Sequence, residues 1–527
     1  MTSDASIGRH NNKIVKMTPV VDTPAGPILG SIDAETGVHR FQGIPYAQPP
    51  IGELRWQPPQ PVPSKVAPFH AFDFGMPAAQ NPSTLFVVRG PNGELPESED
   101  CLYLNIFAPP VSKHSNKKLP VMLWIHGGSF YMGSGCQEIY NGCHLAASGR
   151  AIVVTINYRL GALGFLRLQD ISEVPSSGNE GLLDQIAALK WIRTNIAAFG
   201  GDVDNITLFG ESAGAMSIAA LLAAPACRGL FRRAIVQSGH PRAIHSRDKA
   251  NCLAEAFIEH LEKISGKQNP LQADTKSILN AQQAVLADTR MEQYWGQLPF
   301  KPVLDGELIS LEPMQVLRDG NSANVSLLLG SNLEEWNLFS AIHPESFTLD
   351  SEQIRARLEW LLPRQQLDPL LDHYYTVAQS LEDNPWPEWS RVWNLLLTDM
   401  VFTLPGLRLL DAHRGQRYHY HFAQPLAAQP LLGACHAVEL GYIFGTHGKE
   451  SLQSLYGGET DAHTLSSVMR EAWLNFAECG NPGSDWPSFA DGRSHRFGNH
   501  PAARSFDPAE LTSLWQHIPD EVLNRYL

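Results

Sequence analysis

I-T-L-F-G-E-S-A-G-A-M-S-I-A-A-L-L, residues 206–222, decides how the rest of the chain is read. Ile206, Leu208 and Phe209 form an apolar run of the length of a buried strand. Ala213 to Leu222 are good helix formers, and Pro225 lies just beyond them. Between strand and helix sits Gly210-Glu211-Ser212-Ala213-Gly214. A sharp strand-to-helix turn strains its central residue, and glycine two positions to either side removes the side chains that would clash there. Such a turn lifts the Ser212 hydroxyl clear of the backbone at a helix N-terminus, where developing negative charge meets backbone N–H groups. In a chain with 42 glycines the G-x-S-x-G pattern also arises by chance. Its weight comes from the flanking strand and helix and from the partners found below.

A chain of 527 residues is long enough for several domains, but one large unit fits the patterning better: a loose segment at 1–17 followed by a single catalytic domain over 18–527. Apolar residues make up 43% of the chain and charged residues 18%, the balance of a globular protein with a substantial core. The net charge is −14 and the longest basic run is the pair Lys117-Lys118, so nucleic acid is excluded as a partner. No apolar run reaches membrane-spanning length; Ile218 to Ala224, the most apolar helical stretch, is far too short. The first residues lack the apolar core of a signal peptide. The seven cysteines (101, 136, 143, 227, 252, 435 and 479) are odd in number and show no paired spacing. No disulfide framework is indicated, and a reduced, cytoplasmic protein is expected.

Along the chain, Val20 to Phe41 alternates short apolar runs with Gly and Pro, the signature of a small antiparallel start. Ile44 to Val66 is proline-rich and reads as extended surface chain. Leu102 to Phe107, Val121 to Ile125, Ala151 to Ile156, Ala234 to Val236, Val325 to Leu329 and Tyr418 to Phe422 read as strands. Asn179 to Phe199 is helical, with Leu183, Ile186, Leu189, Ile192 and Ile196 at spacings of three or four. Gly200-Gly201-Asp202 then breaks the helix. Strands alternating with helices predict an α/β fold: a mostly parallel sheet covered on both faces, with ligands bound beyond the carboxyl ends of the strands. Residues 340–405 read as a helical insertion over the sheet, or equally as ordinary covering helices.

A Ser hydroxyl needs a base, most often His, and a carboxylate to fix that base's tautomer. With a nucleophile on a strand-to-helix turn, acid and His follow the Ser in the chain. Glu334 and Glu335 both lie just past the strand ending at Leu329, and spacing does not choose between them. His436 sits in a loop before an apolar stretch, whereas His419 and His421 alternate along a strand. Most of the remaining histidines are expected at the surface. Ala213 and a glycine turn, His126-Gly127-Gly128-Ser129, supply N–H groups for an oxyanion.

These residues resemble the type-B carboxylesterase family, which includes carboxylesterases and cholinesterases, and most of all its bacterial-type carboxylesterases. The likeness runs from about residue 20 to residue 490. It is carried by F-Q-G-I-P-Y-A-Q-P-P-I-G-E-L-R-W (41–56), S-E-D-C-L-Y-L-N-I-F (98–107), W-I-H-G-G-S-F (124–130), N-Y-R-L-G-A-L-G-F-L (157–166) and F-G-G-D-V-D-N-I-T-L-F-G-E-S-A-G-A (199–215). The resemblance implies an α/β-hydrolase fold and a triad of Ser212, Glu335 and His436. It implies oxyanion donors at Gly128, Ser129 and Ala213, supporting roles for Gly127, Glu211, Ser238 and Glu439, and a structural salt bridge between Arg55 and Glu99. Three departures stand out. Ser129 replaces a third glycine, Trp336 replaces a glycine after the acid, and Ala78-Ala79-Gln80 holds no cysteine to pair with Cys101.

The reaction expected from this reading is hydrolysis of a small-molecule carboxylic ester through an acyl-enzyme. No metal or organic cofactor is expected, nor a membrane or nucleic-acid partner, and the protein is expected as a monomer or weak homo-oligomer. An amidase, carbamate hydrolase or lipase would use the same triad. A non-catalytic adhesion protein resembling neuroligins is the other alternative, disfavoured by the complete triad.

Overall fold

Runs such as Val121–Ile125 and Ile152–Ile156 have no polar face, so each must be covered on both sides. The computed structural model describes the chain apart from residues 1–6, 11–12, 84–88, 91–92, 111–116, 268, 289–291, 382–383, 458–460, 499–505 and 527. Its main sheet contains β1 (Ser31–Ile32), β2 (His39–Pro45), β3 (Tyr103–Ala108), β4 (Leu119–Ile125), β5 (Ile152–Ile156), β6 (Gly201–Glu211), β7 (Arg233–Gln237), β8 (Ser326–Asn332), β9 (Arg417–Phe422) and β10 (His495–Phe497). The order across it is β10-β9-β8-β7-β6-β4-β5-β3-β2-β1. Pairing is antiparallel from β1 to β5 and parallel from β5 to β10. Alternate residues of β4 enter two separate apolar cores: Val121, Leu123 and Ile125 on one face, Met122 and Trp124 on the other. The first core is closed by helices α1 (Glu180–Asn195) and α2 (Ala213–Ala223), the second by the helices Leu440–Phe444 and Ala462–Cys479. This is the α/β-hydrolase arrangement expected from the sequence.

Register sets the position of everything that follows. Ile125 lies opposite Gly210, Glu211 opposite Gln237, and Gln237 opposite Gly330. The carboxyl ends of β4, β6, β7 and β8 are therefore level, and the loops leaving them converge on one edge. The turn into α2 lies hard against β4: a Cβ on Gly214 would stand 2.0 Å from the Ile125 carbonyl oxygen. Every residue of α2 is buried, so the helix runs through the core rather than over it.

Several expectations are revised. Residues 7–10 and 13–16 pair as an antiparallel hairpin inside the segment expected to be loose. The β-branched Ile14 and Val15 favour that state. The 44–66 stretch is extended but not wholly superficial: Ile44, Tyr46 and Trp56 are buried, and the Trp56 indole N–H donates to the Ala162 carbonyl at 2.7 Å. β6 begins at Gly201, five residues before the apolar run, because Gly201 pairs with Leu119 ahead of an irregularity whose surplus residues lie in β6. In α1, Leu182 is buried while Leu183 is only partly so, because the helix is enclosed on several sides and its Asp184 pairs with buried Arg159 at 2.7 Å. Of the other histidines, His240, His245, His413 and His447 are buried, as is His126 in the glycine turn. The 340–405 region is helical, as Ser351–Leu358, Arg364–Ser380 and α3 (Glu388–Thr398), followed by a π-helical turn (Asp399–Thr403) and α4 (Leu404–Ala412). All seven cysteines are free thiols. No helix among the described residues is long and apolar enough to cross a membrane.

Arg55 and Glu99 meet as the resemblance implied. The guanidinium donates to both carboxylate oxygens at 2.7 Å, and its Nη1 donates to the Ala273 carbonyl at 2.8 Å. Thr275 Oγ1 donates to Glu99 Oε1 at 2.5 Å, so the pair knits the 52–56 turn to the 273–275 segment. Both residues are buried. Removing one charge strands the other in the interior, so Glu99→Ala should lose about 3–5 kcal/mol of stability. Denaturant unfolding followed by tryptophan fluorescence measures the loss, and a midpoint equal to wild type would show that the pair contributes nothing.

Candidate active site

Ser212 lies between β6 and α2 with φ 53° and ψ −125°, a conformation L-residues rarely hold. Two hydrogen bonds fix its peptide groups: its N–H donates to the Gln237 carbonyl at 2.9 Å, and its carbonyl accepts from the Met216 N–H at 2.8 Å. The strain is of the kind that persists only where the surroundings over-determine the backbone. The hydroxyl consequently stands at the level edge of the sheet.

Past β8, the two candidate acids separate. Glu335 is fully buried, and its Oε2 accepts from His436 Nδ1 at 2.6 Å. Its Oε1 accepts from Ser238 Oγ at 2.5 Å and from the Asn332 N–H at 2.6 Å. Glu334 instead accepts the Ala434 N–H at 2.8 Å, while its own N–H donates to the Ala434 carbonyl at 3.0 Å. One glutamate holds the imidazole and its neighbour clamps the loop that carries it. With Nδ1 donating to Glu335, the second ring nitrogen, Nε2, faces the nucleophile turn, 2.9 Å from Glu211 Oε1. Glu211 thus sets a negative charge beside this nitrogen. No hydrogen bond joins Nε2 to Ser212 Oγ. Catalytic contacts of this type are commonly long before substrate tightens them.

The loop after β4 holds Gly128 at φ 116° and Ser129 at φ 55°. Among the described residues, neither N–H has an acceptor, and the Ala213 N–H is the first of α2, without an intrahelical partner. Gly127 packs directly against the Ser212 turn. A Cβ there would meet Glu211 Oε2 at 2.7 Å and Ser212 Cβ at 3.1 Å. His126 fixes the start of this loop: Nδ1 donates to the Gly127 carbonyl at 2.8 Å, and the ring stacks on Tyr158 with centroids 4.5 Å apart. Burial pushes the His126 pKa down to about 4, which keeps that ring neutral.

The model of the carboxylesterase family matches residues 17–505. The chain belongs to the carboxylesterase family. It is 39% identical over 478 residues to the para-nitrobenzyl esterase of Bacillus subtilis (strain 168), covering 89% of this chain and 92% of that one. It is 34% identical over 513 residues to acetylcholinesterase 1 of Caenorhabditis elegans, covering 88% and 81%. Among solved structures, a Geobacillus stearothermophilus carboxylesterase at pH 6.2 superposes with a TM-score of 0.80 at 33% identity, covering 95% of this chain and all of that one. A thermophilic PNB esterase superposes with a TM-score of 0.77 at 36% identity, covering 89% and 93%. The activity class is carboxylic-ester hydrolysis.

Within the carboxylesterase site, two buried glutamates flank the imidazole, and a third, Glu439, lies close enough to feel their charges. Glu439 is held by Gln237 Nε2 at 2.9 Å and Asn332 Nδ2 at 2.7 Å, and the Trp473 indole donates to Gln237 Oε1 at 3.1 Å. Burial, reinforced by Glu211 and Glu335, pushes the Glu439 pKa up to about 7. For His436 burial acts the other way, favouring the neutral ring, but the charges of Glu211 and Glu335 outweigh it and hold the pKa well above the ordinary 6.5. Gln237, Asn332 and Trp473 were not singled out from the sequence; the signal available was a lone Gln closing the apolar run Ala234–Val236. Phe339 and Phe402 were also missed. Their ring centroids lie 5.2 and 4.7 Å from that of His436.

The π-helical turn explains how Phe402 arrives there. Pro405 has no N–H to give the carbonyl four residues earlier, that of Val401. His240 Nε2 donates to that carbonyl at 2.9 Å. The helix widens at this point, as such turns often do beside functional sites, and Phe402 faces the imidazole. Among the described residues, no group of three or more His, Cys, Asp or Glu side chains is arranged to hold a metal ion.

A base works only when unprotonated, and the role proposed below makes His436 the base. With its pKa raised, His436 is charged below that value and free to accept a proton above it. The acid limb of kcat/KM should therefore fall above pH 6.5, activity rising with pH. Glu211→Gln removes one of the two charges and should move that limb toward acid, whatever it does to the plateau. A pH–rate profile on a nitrophenyl ester reads both, and a limb that stays fixed in the variant would contradict the assigned cause.

Proposed function

We propose that the enzyme hydrolyses carboxylic esters of small molecules with Ser212 as nucleophile, His436 as general base and acid, and Glu335 as the carboxylate that orients the imidazole. What supports these roles most is the 2.6 Å bond from His436 Nδ1 to a Glu335 carboxylate already saturated by Ser238 and Asn332. That bond fixes the tautomer and leaves Nε2 facing the nucleophile turn.

The chemistry follows in two halves. Ser212 Oγ attacks the ester carbonyl carbon while His436 Nε2 takes its proton. The carbonyl oxygen becomes an oxyanion, met by the N–H groups of Gly128, Ser129 and Ala213, each worth about 3–4 kcal/mol of barrier. The imidazolium formed at that moment lies between Glu335 and Glu211, so the charges that raise its pKa also stabilise the transition state. His436 returns the proton to the departing alcohol, leaving the acyl group on Ser212. Water then repeats the attack, the acid departs, and Ser212 regains its proton.

The helices of 340–405 act in this reading as the cover of the site, through Phe402 on the imidazole and a 3.1 Å bond from the Trp336 N–H to Thr398 Oγ1. Seven free thiols, five of them buried, favour a reducing compartment such as the cytoplasm.

Ser212→Ala should keep the wild-type unfolding midpoint and lose at least about a thousandfold in kcat on nitrophenyl acetate. It should also fail to react with a fluorophosphonate probe that labels the wild-type enzyme. Hydrolysis at the wild-type rate in this variant would remove Ser212 from the mechanism.

A further inference from the structure

We infer that Tyr526 is a specificity-determining residue of the esterase: it braces Trp336 and thereby limits the length of ester arm the site admits. The inference rests on the proposed reaction at Ser212 and adds the size of its substrate.

The argument starts at the loop after Glu335. Glu335 and Asn337 are buried, while Trp336 and Phe339 keep partly exposed faces beside the buried imidazole. The rings are continuous. Phe339 lies 5.2 Å from His436 and 4.8 Å from Trp336, and Trp336 lies 6.4 Å from Phe402, centroid to centroid. An aromatic surface thus runs from the base outward to Trp336. An arm of any ester presented to Ser212 that extends along this surface must end at that indole or displace it.

Trp336 is backed by a residue nearly two hundred positions away in sequence. The Tyr526 ring lies 6.2 Å from it and is only 6% exposed. Tyr526 follows α5 (Asp520–Leu523), and this segment is tied down at both ends. Asp520 pairs with three arginines: Arg242, Arg318 at 3.3 Å and Arg408 at 2.5 Å. Arg408 also donates to the Trp515 and Ile518 carbonyls at 2.9 and 2.8 Å. At the other end, the Gln297 N–H donates to the Tyr526 carbonyl at 2.9 Å. Arg242 belongs to the loop that begins at Ser238, and Arg408 to α4, directly after the turn that carries Phe402. The segment bearing Tyr526 is therefore fastened to the same elements that place the acid's hydroxyl partner and the aromatic surface. A phenol ring held this firmly against a partly exposed indole stops that indole from swinging outward.

The test uses the full chain and two series of substrates: nitrophenyl esters from acetate to octanoate, and acetate esters of lengthening alcohols. Active sites are counted with the fluorophosphonate probe. Because a single methylene in an apolar pocket discriminates by roughly 10–200-fold, Tyr526→Ala should raise the long-to-short ratio of kcat/KM at least about tenfold in one series. Tyr526→Phe keeps the ring and should stay within about twofold of the wild-type ratio. Asp520→Asn, which loosens the anchor, should shift the ratio in the same direction as Tyr526→Ala. A Tyr526→Ala enzyme that titrates fully but has an unchanged or lowered ratio in both series overturns the inference. If that variant does not titrate, Trp336→Ala takes its place, and a flat ratio there overturns it equally. Failure of the wild-type chain to titrate or to cleave acetate would instead count against the reaction at Ser212.

Discussion

Negative charge confined to a dry interior is the condition around which this site is built. Glu211, Glu335 and Glu439 are all buried, and carboxylates out of water are stable only with donors or a cation beside them. The protein meets this with amides from Gln237 and Asn332, the Ser238 hydroxyl, the Asn332 N–H and the imidazole of His436. The donors come from the ends of β7 and β8 and from the loop that carries His436. The level carboxyl ends of β6, β7 and β8 are what allow them to meet, so sheet register and site electrostatics are one requirement stated at two scales.

Backbone strain is concentrated in the same place. Ser129, Phe130, Ser212, Ser238 and Ala437 all have positive φ, and all lie in the glycine loop, the nucleophile turn, the Ser238 turn or the histidine loop. Conformations of this kind cost about 1–3 kcal/mol each and survive where packing leaves no alternative. Here the constraint is the fully buried α2 behind the turns and the apolar β4–β6–β7 ladder beneath them. The rigid sheet and core helix thereby hold the reacting groups in orientations that a loop on its own would relax.

How much of this was readable beforehand follows from the physics of each element. Strands β4 to β8 were legible because a strand covered on both faces must be apolar throughout. Ser212 was legible because its turn demands small neighbours at fixed offsets. Glu334 and Glu335 were indistinguishable by spacing, since both leave the same strand end. The resemblance chose Glu335, and the path of the 433–437 loop gives the physical reason, with Glu335 binding the imidazole and Glu334 the Ala434 amide. Gln237, Asn332 and Trp473 were silent because each is one polar group whose partner is remote in the chain. The paired strands Ile7–His10 and Lys13–Lys16 are not legible because four-residue strands carry too little periodicity to stand out.

The π-helical turn at 399–403 has a consequence for how such a site can change over generations. A π turn is an α-helix with one surplus residue, and each residue of an α-helix turns the chain by about 100°. Loss of a single codon between 399 and 403 would rotate a different side chain toward the imidazole while leaving every strand, Ser212, Glu335 and His436 in place. The lining beside His436 is thus separable from the sheet that carries the site, and substrate range can drift by small insertions and deletions while the sheet-borne groups are conserved.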